Sequence, residues 1–434
     1  MTNPLLNARI TPLKPISCAQ IKTLPLLVQL AASPLPTRRP NLSVAIAMDC
    51  SGSMQGERIE ALREGVRQLL NGLRDDDEVV LVSFCDSARN QLARCPASLA
   101  RQVAPTLLAR LQAGGNTALH EGWELAARQL RKDAETGRLC RVVLMTDGRA
   151  NKGLTSADEL AKQASLYARQ GITTTTIGLG IGFNEALLQP MADQGMGSDL
   201  FAERAEDLAA AFESELALLD QLVVRDARLR CHALEGITNL NEHARDDKGA
   251  WVLPGIAGDT EGWAILELPM DALIAAQRRN EPIELEISAS MVTGERLRTT
   301  LTVPPLREVS EAEWYATVED GTVARRYQEL RMAQLQSLLG QALRLDEGTE
   351  ATRLLCEMAR LAEGHPWLQA QYEESVTMMN RRDAALQKEL SYKSSRLRKR
   401  MIIDEERMEA KMAMEGRLPG YLQEKRREGR SGQQ

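Results

Sequence analysis

Residues 42–53 read LSVAIAMDCSGS: seven uncharged, mostly apolar residues, then Asp49-Cys50-Ser51-Gly52-Ser53. A strand with one wet face alternates apolar and polar residues, whereas a parallel strand covered on both faces reads as an unbroken apolar run. The stretch 42–48 is of the second kind, and it ends abruptly in a carboxylate and two hydroxyls.

Working outward, the same grammar repeats. Ile59, Leu62, Val66, Leu69 and Leu73 recur every three or four residues, the spacing of a helix face. EVVLVSF (78–84) is a second buried strand, helical stretches occupy 98–111 and 118–131, and RVVLMTD (141–147) is another strand ending in an aspartate. A helix at 156–169 precedes the β-branched run ITTTTIGLG (172–180), and helical stretches at 184–194 and 205–220 flank a short DLFAE. Strands alternating with helices of this length predict an α/β fold with a doubly wound parallel sheet. Such sheets bind ligands beyond the carboxyl ends of their strands, where the strand order reverses. Asp49 and Asp147 both fall at such ends.

Three segments carry the chemistry: Asp49-Cys50-Ser51-Gly52-Ser53, Gly114-Gly115-Asn116-Thr117 and Thr146-Asp147-Gly148. Hydroxyl and carboxylate oxygens suit a hard cation, Mg²⁺ first, with Mn²⁺ or Ca²⁺ as alternatives. Three neutral hydroxyls and two carboxylates neither fill nor neutralise an octahedron, so one position is open to water or to a partner's carboxylate. DCSGS, the Thr117 of GGNTAL, and TDG together resemble the metal-ion-dependent adhesion site of the von Willebrand factor A family. The resemblance in pattern covers about 41–220. It implies that Ser51 and Ser53 bind the ion directly and Thr117 does so in the ligand-competent state. Asp49 and Asp147 would act through water, and an acidic residue of a protein partner would complete the shell. TDGRANKG and TIGLGIGFNEALLQPMA are similar to the bacterial intracellular branch, whose A-type domain adjoins a β region like that of inter-alpha-trypsin inhibitor heavy chains. Relatives of that kind suggest, by analogy only, an AAA+ chaperone or a kinase–phosphatase module as partner.

Outside the A-type stretch the period changes. VVRDARLRCHAL, AWVLP, GWAILELPM, PIELEISAS and RLRTTLTVP (about 222–305) are short, partly alternating stretches, which predict an antiparallel sandwich. ARITPLKP and TLPLLVQL, before the A-type stretch, have their natural place in the same sandwich, which makes the parallel domain an insertion. From Ser310 the chain turns helical, at 310–346 and 349–363, with GHPW (364–367) as a break and a charged helix on to about Met414. Leu386, Leu390, Leu397, Met401, Met408 and Met412 are spaced 4, 7, 4, 7, 4, an eleven-residue period that a nearly straight helix keeps. The expected organisation is therefore 1–37 (strands of the sandwich), 38–221 (A-type domain), 222–308 (sandwich), 309–415 (helical region) and 416–434 (disordered tail).

Of the 434 residues 43% are hydrophobic, enough for several cores, and only 3% are aromatic, which argues against base-stacking surfaces. No run of about 18 apolar residues is present to span a bilayer, and the N-terminus lacks the basic flank and apolar run of a signal peptide. Seven cysteines, without zinc-site spacing, fit a reducing cytoplasm. Residues 381–434 hold 15 Lys/Arg against 9 Asp/Glu, so +6; with the whole chain at −6, the remainder carries −12. The basic cluster Lys393–Arg400 reads first as a solvated helix face and second as a dock for an acidic partner. Ser391, Ser394 and Ser395 lie beside it, where a phosphate would remove nearly two positive charges.

The expected function is thus non-enzymatic, metal-dependent protein binding, as an adaptor or scaffold. Two other classes compete with it. A metal-assisted hydrolase needs a base beside the ion, and neither Ser51, outside any GxSxG elbow, nor His120, three residues after Thr117, supplies that pattern. Cys50 occupies the variable position of its motif, and GLGIG (178–182) lacks a full GxGxxG. Nucleic-acid binding through the basic helix is disfavoured, because no interleaved aromatics or known module accompany it.

Overall fold

The computed structural model describes residues 6–381 apart from 34–39, 181, 203–215, 217–218, 233, 247 and 259. The expected charged helix beyond 381, its basic cluster, the tail and most of the expected 205–220 helix lie outside the described residues. The described chain forms two compact units, one from 6–33 with 223–381 and the other from 40–222. Among the described residues no helix is long and apolar enough to cross a membrane.

The chain opens with β1 (Leu6–Pro12), β2 (Ile16–Ser17) and β3 (Thr23–Ala32) of the first unit. It then enters the second: β4 (Leu42–Asp49), α1 (Glu57–Gly72), β5 (Glu78–Phe84), β6 (Ala88–Pro96), α2 (Ala97–Ala109) and α3 (Leu119–Gln129). The unit continues through α4 (Arg131–Glu135), β7 (Leu139–Thr146), α5 (Ala157–Arg169), β8 (Ile172–Leu179), α6 (Glu185–Gln194) and β9 (Met196–Ala202). Its sheet has the order β6-β5-β4-β7-β8-β9, parallel throughout except for the antiparallel edge strand β6. All eight residues of β4 and all eight of β7 are buried, the polar Ser43, Asp49, Arg141 and Thr146 along with the apolar ones. From β4 the chain moves to β5 on one side and later returns to β7 on the other. The order therefore reverses between the carboxyl ends of β4 and β7, where a crevice opens in doubly wound sheets. On one face α3, α5 and α6 close a core around Trp123, whose indole N–H donates to the Thr174 hydroxyl at 3.1 Å and whose ring meets Tyr167 edge-on at 5.3 Å.

β6 was not expected. Its exposure pattern shows one buried residue, Cys95, so an edge strand with little apolar surface left no period to read.

The chain then re-enters the first unit with β10 (Leu222–Cys231), β11 (Thr238–Asn239), β12 (Trp251–Leu253), β13 (Ile256–Ala257), β14 (Thr260–Pro269) and α7 (Met270–Arg278). It ends with β15 (Glu284–Met291), β16 (Arg296–Thr302), β17 (Arg307–Glu308), α8 (Glu311–Ala316), α9 (Gly321–Arg344), α10 (Gly348–Ala362) and α11 (Pro366–Arg381). One sheet runs β1-β3-β14-β11 and a second β12-β10-β15-β16, with β13 on β10. Both contribute to a single apolar cluster, Leu24, Leu26 and Val28 from one, Leu229, Leu285 and Ile287 from the other. Two corrections apply. α7 interrupts what read as continuous β structure, because Met270, Leu273, Ile274 and Ala276 bury a helical face directly after the Pro269 strand end. The expected 310–346 helix is two helices, α9 starting afresh where the Asp320 carboxylate accepts from Thr322 N–H and Val323 N–H, an N-cap.

α9 is fixed to β14 by Arg326, buried and stacked over the Trp263 ring at 4.7 Å, with an ion pair to Glu261, which also accepts from Gln29 at 3.0 Å. The Nε and Nη1 of Arg326 have no acceptor among the described residues, so the guanidinium is incompletely satisfied. Arg326→Ala should cost about 3 kcal/mol in urea unfolding, while Arg326→Met together with Glu261→Gln, which keeps the volume and leaves no unpaired carboxylate, should cost about 1 kcal/mol or less. Equal losses would mean that packing volume is not what α9 needs at this position.

Candidate metal centre

β4 delivers Asp49 to the crevice at zero exposure, and both of its oxygens are engaged. Oδ1 accepts from Ser51 N–H at 2.8 Å, folding the chain back over the strand end; Oδ2 accepts from the Thr146 hydroxyl at 2.5 Å. Thr146 Oγ1 in turn accepts from Gly148 N–H at 2.8 Å, so one chain of bonds ties the ends of β4 and β7 together. A carboxylate has about four acceptor positions. Two on Asp49 are spent on the protein, which leaves it suited to hold a water.

The Ser51 and Ser53 hydroxyls stand 3.1 Å apart, with Ser51 buried. Two backbone bonds, Gly52 N–H to Gly115 O at 3.1 Å and Gly114 N–H to Cys50 O at 2.9 Å, fasten this loop to the GGNT loop. Gly115 has φ +78°, and a Cβ there would come 2.4 Å from Asp86 Oδ2, so glycine is required twice over. Thr117, also buried, is held on both sides of its peptide. Its N–H donates to Asn151 Oδ1 at 2.8 Å, and its carbonyl accepts from the N–H groups of Asn151 and Lys152, each at 3.3 Å. Asp86 accepts from both the N–H and the side-chain amide of Asn116, bonds that hold its carboxyl below the usual range.

Asp147, at zero exposure, follows β7 directly. Its Oδ2 faces Arg58 Nη1 at 3.2 Å and Arg149 Nε at 3.8 Å, and Oδ1 accepts from Arg149 N–H at 3.3 Å. Arg58 also donates to the Ser53 carbonyl at 2.9 Å, bridging the first and third segments. All five residues singled out from the sequence thus sit in loops that are bonded to one another. Thr146, Asp86, Asn151, Arg58 and Arg149 are the additions. Arg149 meets Asp147 two residues away, whereas the other four act through tertiary bonds over 30 or more residues, for which a single sequence offers no local signal.

Burial pushes the Asp49 carboxyl up to about 6, against the lowering bonds from Thr146 and Ser51 and with a further raising push from Asp147. Burial pushes the Cys50 thiol up to about 12, so it is a protonated core group. His120 opens α3 and lies 6.2 Å from the Trp123 ring. Among the described residues no group of three or more His, Cys, Asp or Glu side chains is arranged to hold a metal, which leaves the hydroxyl-rich set as the candidate.

The raised value fixes a sign. The folded state binds the Asp49 proton more tightly than the unfolded chain, so stability tied to this group is full below about pH 4 and falls as pH rises through about 6. About two pK units correspond to about 3 kcal/mol. In chelator, Asp49→Asn should flatten this decline in a Tm series from pH 4 to 7; an unchanged slope would assign the decline to another group.

Comparison with known proteins bears on the parallel-sheet unit. Residues 43–214 match the von Willebrand factor type A domain. An uncharacterized protein of Synechocystis sp. is 27% identical over 196 residues, 44% of this chain and 45% of its own length. The uncharacterized protein YfbK of Escherichia coli is 26% identical over 191 residues, 44% of this chain and 33% of its own. The inter-alpha-trypsin inhibitor heavy chain H4 of Sus scrofa is 26% identical over 210 residues, 47% and 22%. The chain thus spans less than half the length of these relatives. Among solved structures, a von Willebrand factor type A structure from Catenulispora acidiphila superposes with a TM-score of 0.68 at 19% identity, covering 90% of this chain and 96% of that one. The ArnB paralog VWA2 from Sulfolobus acidocaldarius gives 0.58 at 15%, covering 91% and 98%. At such identities the structural likeness speaks for the fold alone, while motif, geometry and sequence match concur on the parallel-sheet unit. Residues 43–214 form a von Willebrand factor type A domain.

Proposed function

We propose that this domain is a metal-dependent protein-binding module, in which Ser51, Ser53 and Thr117 hold a divalent cation directly and Asp49 and Asp147 hold it through water. The observation that carries the reading is the Ser51–Ser53 hydroxyl pair, 3.1 Å apart and built into a crevice floored by two buried carboxylates. Neighbouring oxygens of an octahedral Mg²⁺ shell with bonds of about 2.1 Å stand about 3.0 Å apart, so the pair has the spacing of one octahedral edge. Mg²⁺ is the first choice, with Mn²⁺ or Ca²⁺ as alternatives. Bound there, the ion supplies a Lewis-acidic position for an acidic residue of a protein partner. The groups a hydrolase would use are turned to other work. Cys50 is held protonated by burial, Ser51 lies between the Ser53 hydroxyl and the Asp49 carboxylate, both part of the proposed ion site, and His120 lies beside Trp123. The seven free thiols support a reducing compartment, which makes the cytoplasm our proposed location.

We further read the domain as an insertion into a β-sandwich that is followed by a helical region. The support is that β3, which pairs with β1 over seven positions, also pairs with β14 over ten, across more than 220 residues of intervening chain.

A saturating ion should raise the melting temperature. At one hundred times its Kd it adds about 2.7 kcal/mol, or about 5–10 °C for a unit of this size. Asp49→Ala with Ser51→Ala should abolish both this shift and the calorimetric binding of Mg²⁺ or Mn²⁺, with the fold retained. Binding equal to wild type would move the ion elsewhere. For the architecture, removal of residues 1–35 takes β3 out of its sheet. The 36–434 chain should lose cooperative unfolding of the β unit while 36–222 folds alone. A 36–434 chain as stable as the full protein would overturn the insertion.

A further inference from the structure

The buried Asp147 needs one counter-charge, and the structure gives it two. Arg58, from the first turn of α1, and Arg149, from the loop after β7, both point a guanidinium at the same Oδ2, at 3.2 and 3.8 Å. The Arg58 side chain is 29% exposed and that of Arg149 56%, against 0% for Asp147. Both guanidiniums also lie against the turn at Gly180 and Gly182. A Cβ at Gly180 would come 2.9 Å from Arg58 Nε, and one at Gly182 would lie 2.8 Å from Arg149 Nη2 and 3.4 Å from Arg58 Nη2. The two Nη2 atoms therefore stand within 3.4 Å of one point, above a residue whose missing side chain leaves room for them. Arg149 has one further bond, Nη2 to the Gly182 carbonyl at 3.5 Å, the long limit for such a contact.

A purely structural role accounts for Arg58, which also ties down the Ser53 carbonyl. It does not account for Arg149, which is mostly in water and adds a second positive charge beside the first. Like charges this close repel, and Asp147 between them offsets one of the two. Without an ion, Asp49 and Asp147 balance the two arginines. A divalent cation in the proposed site adds two positive charges and competes for Asp147, leaving the guanidinium pair under-neutralised.

We propose that Arg58 and Arg149 form the second half of the binding site, accepting an anion beside the metal. The partner segment then carries two neighbouring carboxylates, one for the ion and one for the arginine pair. This inference rests on the metal-dependent reading above. It names the partner's chemistry as a diacidic peptide, and it fits the glycine at 182, where a side chain would displace a guanidinium; at 180 a φ of +75° already calls for glycine.

The test is a set of Mn²⁺ titrations of the full chain, alone and with blocked peptides of the form Gly-Gly-Glu-Gly-Gly, Gly-Glu-Glu-Gly-Gly and Gly-Gly-phosphoserine-Gly-Gly. Linkage makes any peptide that binds the ion tighten the apparent Kd for Mn²⁺. With wild type, the Glu-Glu peptide should tighten it about five-fold more than the single-Glu peptide, the order expected of an exposed ion pair. In Arg149→Gln, and in the double variant with Arg58→Gln, that advantage should vanish; in Arg149→Gln, Mn²⁺ alone should bind several-fold tighter, because a repelling charge is gone. A fold effect would weaken both; changes of opposite sign identify the arginine pair. Arg149→Gln serves as the mild variant, since it leaves the Arg58 anchor intact. Equal effects of the two Glu peptides on wild type, or an advantage that survives in the variants, would overturn the arginine pair while sparing the metal site. A phosphoserine peptide that outperforms Glu-Glu would overturn the paired-carboxylate assignment in favour of phosphate. Failure of wild type to bind Mn²⁺ at all would remove the metal reading, and this inference with it.

Discussion

Two carboxylates held at zero exposure at the ends of adjacent parallel strands are the constraint around which the A-type unit is arranged. Leaving an ionised carboxylate in an apolar core without partners costs several kcal/mol, and here Asp49 and Asp147 share one crevice. Each neighbouring feature reads as compensation. Thr146 donates to Asp49 and is itself fed by Gly148 N–H, Ser51 N–H folds back onto Asp49, and Arg58 and Arg149 converge on Asp147. The sheet order supplies the location. Only where the chain leaves β4 in one direction and returns to β7 from the other do two strand ends open a gap not roofed by a connecting helix.

Much of this unit was legible because its local and global signals coincide. The runs LSVAIAM and RVVLM have the composition of strands covered on both faces, and both end in the aspartates that the structure buries. The helix at 157–169 begins at Ser156, whose hydroxyl accepts from Glu159 N–H, a start signal written in the sequence itself. What could not be read is what depends on partners far away in the chain. β6 is held by its ladder to β5, with mostly exposed side chains that carry no pattern. Arg58 looks like one more charge on the outside of α1 until the fold brings Asp147 to it from 89 residues away.

The β unit shows the same division. Strand character in β3 and β14 is plain from their short apolar runs, LPLLVQL and GWAILELP, yet α7 follows β14 without a loop, so the period changes at Pro269 within one residue. The break between α8 and α9 is equally local. Asp320 caps the second helix, a role open to any aspartate in a turn, and what fixes it there is the bond from its own N–H to the Leu13 carbonyl, some 300 residues away in sequence. Lys14, next in the chain, donates to the Trp314 carbonyl at 2.8 Å and sits over the Trp314 ring at 5.1 Å. The N-terminal segment is thus stitched to the start of the helical segment by polar contacts that neither segment's periodicity reveals.

The choice of donors in the crevice has a consequence for how the proposed module works. A site built from four carboxylates would bind a divalent ion tightly and need nothing further. Three hydroxyls and two carboxylates, with two arginines already competing for one of those carboxylates, make a weaker site that an ion leaves positively charged. In the proposed module the missing negative charge would come from outside, so ion and acidic partner would bind with mutual help. By linkage, whatever factor the partner adds to ion affinity the ion adds to partner affinity. The arginines sharpen this coupling from both sides. As proposed, they would lower the occupancy of the ion when no partner is present and reward a partner that brings a second carboxylate. A site that is incomplete by construction is therefore selective by construction, since neither the ion nor a lone acid satisfies all of its charges.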